Sequence, residues 1–321
     1  MAEADLRVPD AQFEPAVCDA CGASGQASLY QFFFDGQRSD VVRCIACGLA
    51  YSSPRPTARS LGGFYGEGYY SFGPPKLPDP QGILGFKERL RRTILARHMG
   101  YATITGADAG VPALFTRFLA KFLAMPDWQK DGVLLDVGCG SGERMLELQN
   151  FGWTVRGLEF SESAAAAGRS VGLDISVGDL TSAKLASGSF TTIAFYHSLE
   201  HVFSPFATLK AAHAALAPGG ALLVAVPNFG CSERRLFGRM WDWLQMPTHL
   251  YHFDREALTR LVSAAGFSNI DVRYSFHGYS VDTARAGALR PVAELLLKFY
   301  ALAAAIVGDG KAITLVARKA A

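Results

Sequence analysis

Long apolar runs, a surplus of one charge and a basic leader are all missing from this 321-residue chain. The longest apolar segment near the end, Ala293 to Val307, is interrupted by Glu294 and Lys298. It falls short of the ~20 residues that cross a bilayer, so no membrane span is expected. Thirty-one basic residues face 29 acids, a formal net charge of +2. That gives no broad electrostatic case for nucleic acid, which needs many basic contacts to phosphate, and no tract interleaves basic with aromatic residues. Met1 to Pro15 carries four acids and no basic start ahead of an apolar stretch. A secretory signal is therefore not read there, and the cytoplasm is the expected location. What remains is half hydrophobic, enough to bury a full core with room for two domains.

Cysteine is scarce, but four of the six fall in two pairs, Cys18-x-x-Cys21 and Cys44-x-x-Cys47, each with a glycine next, Gly22 and Gly48. Two such knuckles make one tetrahedral site of four thiolates, the donor set of structural Zn²⁺. Val17 to Pro56 is too small to bury its own core, and the ~10 to 16 kcal/mol apparent binding energy of structural zinc could hold it. Disulfides are the alternative, against which a reducing compartment argues. Cys139 and Cys231 are expected to be unbound.

The third glycine of a dinucleotide loop is also missing. Asp136-Val137-Gly138-Cys139-Gly140-Ser141-Gly142 follows the apolar run Val133 to Leu135 and precedes a helix-like stretch, Glu143 to Asn150. Gly-x-Gly-x-x-Gly would need glycine where Glu143 stands, and a carboxylate at a helix start would repel a pyrophosphate. A phosphate-free cofactor meets no such objection.

Asp-x-Gly-x-Gly-x-Gly after a first strand resembles the cofactor loop of class I S-adenosylmethionine-dependent methyltransferases, and the chain downstream keeps that family's order. Glu159 ends Thr154 to Glu159, where the family holds both ribose hydroxyls. Asp179 follows Ile175 to Gly178, where it places an acid near adenine. Phe190 to Tyr196 reads as the fourth strand, ending at His197-Ser198-Leu199-Glu200-His201-Val202. Leu216-Ala217-Pro218-Gly219-Gly220 then leads into Ala221 to Val226. The resemblance covers roughly residues 128 to 321. It implies that Asp136, Gly138, Gly140, Gly142, Glu159, Phe160, Asp179, Leu180 and His197 bind S-adenosylmethionine. The stretch Arg43 to Tyr51 leading to Pro54-Arg55-Pro56 resembles the N-terminal ribbon of a bacterial methyltransferase group associated with sugar and surface-glycan modification.

Methyl transfer to a hydroxyl profits from a base that titrates near neutrality, which points to histidine. His201 and His249 are the expected catalytic residues, on the acceptor side. His249 and His252 lie in Pro247-Thr248-His249-Leu250-Tyr251-His252-Phe253, similar to the family's Pro-x-His-Leu-x-x-Phe. His201 capping the next helix, and His252 bonding within a loop, are the structural alternatives. Some O-methyltransferases bind Mg²⁺ through Glu-x-x-Glu-His at the place of His197-x-x-Glu200-His201, but hard Mg²⁺ prefers oxygen to a first histidine. Trp241, Asp242 and Trp243 suit a sugar ring or a core equally.

The expected architecture is α/β: a seven-stranded, mostly parallel, Rossmann-like methyltransferase sheet with helices on both faces, behind a small N-terminal zinc ribbon. Residues 1–70 form the ribbon, 71–127 a linker and helical lid, and 128–321 the methyltransferase domain with a helical insertion at about 290–307. Phe86 to Tyr101 reads as a basic helix and Pro112 to Met125 as an apolar one. Tyr65, Tyr69 and Tyr70 are expected near the acceptor. The cofactors are S-adenosylmethionine and Zn²⁺, and the partner is a small-molecule or glycan acceptor. An RNA methyltransferase with the ribbon as clamp, and a non-catalytic ribbon scaffold, are the rival functions. The insertion leaves a homodimer contact, a lid and peripheral membrane contact open.

Overall fold

The computed structural model describes residues 8, 10–65, 73–75, 85–101, 104–275 and 290–321. Tyr69, Tyr70 and most of the expected linker lie outside the described residues.

The front of the chain is a small β unit. β1 (Phe13–Glu14) pairs with β5 (Arg55–Pro56), and β2 (Gln26–Phe34), β3 (Gln37–Cys44) and β4 (Ala50–Ser53) form a meander. Asp35 and Gly36, both at positive φ, close the β2–β3 hairpin as a two-residue turn requires. Then come α1 (Ala58–Leu61), α2 (Phe86–His98) and α3 (Ala113–Ala120).

The remainder alternates strand and helix: β6 (Val133–Val137), α4 (Glu143–Asn150), β7 (Thr154–Glu159), α5 (Glu162–Ser170), β8 (Ile175–Val177), β9 (Phe190–Tyr196), α6 (Pro205–Ala215) and β10 (Leu216–Pro227). α7 (Ser232–Phe237), β11 (Tyr251–His252), α8 (Arg255–Ala264), β12 (Ser268–Ser275), α9 (Arg290–Ile306) and β13 (Ala312–Arg318) complete it. The seven-stranded sheet runs β12-β13-β10-β9-β6-β7-β8, parallel from β10 to β8, with β13 antiparallel to both its neighbours.

Apolar residues of the central strands alternate between the two faces. Leu135, Val137, Ile193, Phe195, Leu222 and Val224 pack with Leu209 of α6 and Leu258 and Leu261 of α8. Leu134, Ala194 and Leu223 point the other way, to Met145 and Leu148 of α4. Each large apolar side chain so buried contributes about 1.5–3 kcal/mol. Capping is local and conventional: Ser161, Ser204 and Asp254 accept from the amides of Ala164, Ala207 and Ala257 at the starts of α5, α6 and α8.

α2 does not face the cofactor side as a lid would. Leu95, Met99 and Tyr101 pack on Leu148, Phe151 and Trp153 at the far end of α4. Arg91 pairs with Glu88 and Glu147, Arg92 pairs with Glu88, and Arg97 donates to the Val111 carbonyl at 2.8 Å. Arg91, Arg92 and Arg97 are thus all engaged within the protein. α9 buries Ala304 and Ala305 and exposes Val292, Leu295, Leu296 and Phe299. Among the described residues no helix is long and apolar enough to cross a membrane.

Candidate active site

β6 and β9 are neighbours, yet their following segments lead to opposite edges of the sheet. That divergence opens a crevice at their carboxyl ends, where ligands of open α/β sheets bind. Gly138, at φ +72, lines it so tightly that a Cβ would stand 2.5 Å from Ser198 Cβ. Gly142, at φ +88, starts α4, and a Cβ there would meet Leu173 at 2.3 Å. Gly138 lets its loop approach Ser198 on the other wall, and Gly142 lets the loop settle on Leu173 behind it, where no side chain would fit.

Glu159 ends β7 almost fully buried. Its Oε2 accepts the Gly140 amide at 2.8 Å and its Oε1 the Ser161 amide at 2.9 Å, so one carboxylate ties the glycine loop to α5. Burial raises its pKa, and the amides of Ser161, Gly140 and Phe160 pull against that rise. Asp136 is also buried, and its Oδ1 has no hydrogen-bond partner. Burial pushes its carboxyl up to about 7, opposed by Arg144 and reinforced by Glu159. Arg144 lies over the Tyr196 ring at 4.8 Å and bonds Glu147. Asp179 is exposed, and it accepts the Thr181 and Ser182 amides at 2.9 and 3.0 Å. Burial opposes the shift, but these donors and the two hydroxyls hold its carboxyl below the usual value. Leu180 is buried beside it, and half-exposed Phe160 leans on Tyr65 with ring centres 5.2 Å apart.

Across the crevice, four histidines gather. His197, at φ +54, donates its amide to the Ala225 carbonyl at 2.8 Å and sets its ring edge-on to Trp243 at 5.4 Å. Glu200 and His201 follow on a 3₁₀ turn, Leu199–His201. His201 Nδ1 lies 3.0 Å from the Thr248 carbonyl and 2.9 Å from the Tyr65 hydroxyl, and His249 Nδ1 lies 3.0 Å from the Trp243 carbonyl. The two rings stand near-perpendicular with centres 4.6 Å apart. Burial lowers the pKa of His201, with Glu200 opposing. Burial holds His249 well below its ordinary value, and His201, His252 and His197 add to that. Burial takes His252 down to about 3, with Arg234 adding to the fall.

A neutral buried histidine carries a pH signature. His252 folds with its pKa depressed from the usual ~6.5, so below that pH the unfolded chain binds a proton that the folded chain refuses. Its contribution is complete above about pH 6.5 and falls by up to about 1.4 kcal/mol per unit as pH drops toward 3. Asp136, raised to about 7, has the opposite sign over much of this window, so the test is a difference. Denaturant melts of wild type and His252→Gln should converge as pH falls from 6.5 to 5, and a constant gap would refute the neutral, buried imidazole.

The front unit is built into this site. β11 joins β4 antiparallel, Tyr251 opposite Tyr51, so the small sheet reads β11-β4-β3-β2. Ser52 donates its amide to the Leu250 carbonyl and its hydroxyl to the His249 carbonyl, both at 2.9 Å. Asp19, between Cys18 and Cys21, accepts the Ser204 hydroxyl and the Phe206 amide at 2.7 Å, at the start of α6. The Sγ atoms of Cys18, Cys21, Cys44 and Cys47 lie within 4.8 Å of one another, and no cysteine is in a disulfide. Burial opposes ionisation of Cys44, but the Cys47 and Ala46 amides bring its thiol down to about 7.

Comparison with known proteins speaks to the same crevice. A family model described as a methyltransferase domain matches residues 108–272, just over half of the chain. The chain belongs to this methyltransferase family. Its sheet is the seven-stranded, mostly parallel one that the sequence led us to expect. Similar proteins include one from Mycolicibacterium smegmatis named a probable S-adenosylmethionine-dependent methyltransferase, 29% identical over 45% of this chain and 55% of that one. A ubiquinone biosynthesis O-methyltransferase from a Caulobacter species is 33% identical over 30% of this chain and 40% of its own. A demethylmenaquinone methyltransferase from Staphylococcus saprophyticus is 29% identical over 45% and 73%. The chain spans about half the length of the first of these relatives. A solved S-adenosylmethionine-dependent methyltransferase from Mesorhizobium loti is 21% identical, with TM-score 0.43 over 59% of this chain and 91% of that one.

Most expected positions of the methyltransferase fold meet at the crevice. Asp136, Gly138, Gly140, Gly142, Glu159 and Phe160 line one wall, and His197, His201 and His249 the other. Asp179 and Leu180 sit at the sheet edge beyond β8. His201 does not cap α6, because Ser204 and Asp19 do. His252 lies in β11 rather than a loop, and its buried Nε2 has no partner. Trp241 is core, packed with Phe32, Val41 and Phe229, while Trp243 faces His197. Sequence reading missed the contribution of Thr248 and of Ser52. Nothing in Ala50-Tyr51-Ser52-Ser53 signals that β4 takes a further strand.

Proposed function

We propose that this chain transfers the methyl group of S-adenosylmethionine to a small-molecule or glycan acceptor, a sugar hydroxyl ahead of a sugar carbon. The observation that carries it is the crevice itself, with a glycine loop and Glu159 on one wall and the histidine cluster on the other. The residues fit the cofactor. Glu159 keeps a second lone pair on each oxygen for ribose hydroxyls, and the unpartnered Asp136 Oδ1 suits a cationic ligand. When bound, the cofactor supplies a reactive methyl carbon. The chain supplies alignment, a dry surface and a sink for the acceptor's proton, with His201 or His249 as the neutral imidazole that takes it.

The four cysteines fit Zn²⁺ in donor type, number and closeness, and we assign them a structural role. A phenolic or quinol hydroxyl is the second reading of the acceptor, favoured by the names of two relatives and by the rings of Tyr65, Phe160 and Trp243 around the cluster.

Calorimetric titration of zinc-loaded protein with S-adenosylmethionine, with NADH alongside, tests the proposal. One site for the first and none for the second is expected. Affinity should rise with pH up to about 7, because a cationic ligand favours ionised Asp136. Failure to bind would leave the chain as a scaffold.

A further inference from the structure

Glu200 is 1% exposed, and among the described residues neither of its carboxylate oxygens accepts a hydrogen bond. A buried carboxylate with nothing opposite it is strongly unfavourable, so its partner must be sought among its neighbours. What lies there is nitrogen. Ligand atoms of Glu200, His201 and His249 fall within 4.8 Å of one another, and His197 Nδ1 is 3.6 Å from Glu200 Oε1.

Both imidazoles are oriented from behind. A carbonyl oxygen only accepts, so the Thr248 carbonyl at His201 and the Trp243 carbonyl at His249 place the proton on Nδ1 in each ring. The Tyr65 hydroxyl shares the His201 contact. Each Nε2 is left with its lone pair, which is how metal-bound histidines are held. The ring planes are nearly perpendicular with centres 4.6 Å apart, close enough for one ion to serve both.

We propose that Glu200, His201 and His249 bind one divalent first-row transition-metal ion, separate from the four-cysteine site, with its open positions toward the acceptor. Two nitrogens and one carboxylate favour ions such as Mn²⁺, Fe²⁺ or Zn²⁺ over Mg²⁺, which prefers oxygen. The nearest flanking group, His197, adds a further nitrogen rather than the oxygen a magnesium site would want. Ion binding stands without the methyl-transfer reading, but the ion's use rests on it: an open position would hold the acceptor oxygen and make its hydroxyl more acidic. The imidazoles then act as ligands, and the ion replaces them in activating the hydroxyl.

The test uses the full chain with its cysteine site already filled by zinc, titrated with Mn²⁺ and followed by loss of the free-ion paramagnetic resonance signal. Thiolates disfavour Mn²⁺, so the front site stays silent. One Mn²⁺ per chain is expected, with affinity at least tenfold weaker in Glu200→Gln and separately in His249→Gln, both keeping one zinc and the wild-type unfolding profile. Binding undiminished in both variants overturns the site. So does absence of Mn²⁺ binding together with a zinc content fixed at one per chain in excess zinc, which would leave the imidazoles as bases. A parallel S-adenosylmethionine titration separates the two claims: silence there, with Mn²⁺ still bound and lost in the variants, overturns methyl transfer and upholds the ion site.

Discussion

Replacing Glu159 by alanine should weaken S-adenosylmethionine binding at least a hundredfold. The carboxylate bonds the Gly140 and Ser161 amides and stands on the crevice wall at the end of β7. A hydrogen bond to a charged group is worth about 1.5–3 kcal/mol, so losing two ribose contacts removes about 3–6 kcal/mol of binding free energy. At about 1.4 kcal/mol per tenfold, that is a hundredfold or more. Alanine also strands two buried amides and frees the glycine loop, which deepens the loss. The Glu159→Gln variant separates the effects: its amide nitrogen must face a backbone N–H on one side, so it should bind weakly while keeping the packing. Calorimetry reads the dissociation constant, and zinc content should not change in either variant. An affinity within threefold of wild type would show that the ligand lies elsewhere.

The second large effect is expected at the other end of the chain. Cys44→Ser removes one of four clustered thiols, and the protein should lose its zinc and unfold at a temperature lower by about 10 °C or more. Structural zinc contributes an apparent ~10–16 kcal/mol, comparable to the whole stability of an ordinary domain. The damage should travel, because Ser52 holds the His249 carbonyl and Asp19 holds the start of α6. Catalytic turnover should therefore fall much further than S-adenosylmethionine affinity, since Glu159 and the glycine loop belong to the large sheet and not to the small one. Metal analysis, thermal melts and calorimetry on one preparation decide it. Zinc retained at one per chain, or zinc lost with no change in melting, would refute the four-thiolate site.

The wall built on the glycine loop was legible in the sequence because its parts are local. A strand, a glycine loop and a helix follow one another within Val133 to Asn150, and Glu159 closes the next strand, so spacing alone places them. The histidine wall was legible only in part, since His201 and His249 were expected there but their meeting with Glu200 was not. Tyr65 meets His201 across 136 residues and His249 meets Glu200 across 49, and these loops come together through the Leu250 amide on the Glu200 carbonyl and the pairing of β11 with β4. The motifs offered His201 and His249 one by one and set His197 toward the cofactor, and no periodicity marks these three and Glu200 as one cluster. α2 misled for a related reason. Its apolar residues show that one side is buried, but nothing in Phe86 to His98 says that Leu148, Phe151 and Trp153 cover it rather than the cofactor. Asp179 was found at the expected place, and its turn with Thr181 and Ser182 could be read only from coordinates.

The pairing of β11 with β4 also sets a timetable for synthesis. Tyr51 leaves the ribosome about 200 residues before Tyr251, the residue it faces. At ~5–20 residues per second, β4 then waits ~10–40 s with an open edge, and open edges recruit the wrong strands. Zinc captured early by Cys18, Cys21, Cys44 and Cys47 would keep the hairpin closed during that interval. Cells short of zinc should therefore yield aggregated nascent chains rather than a folded, metal-free protein.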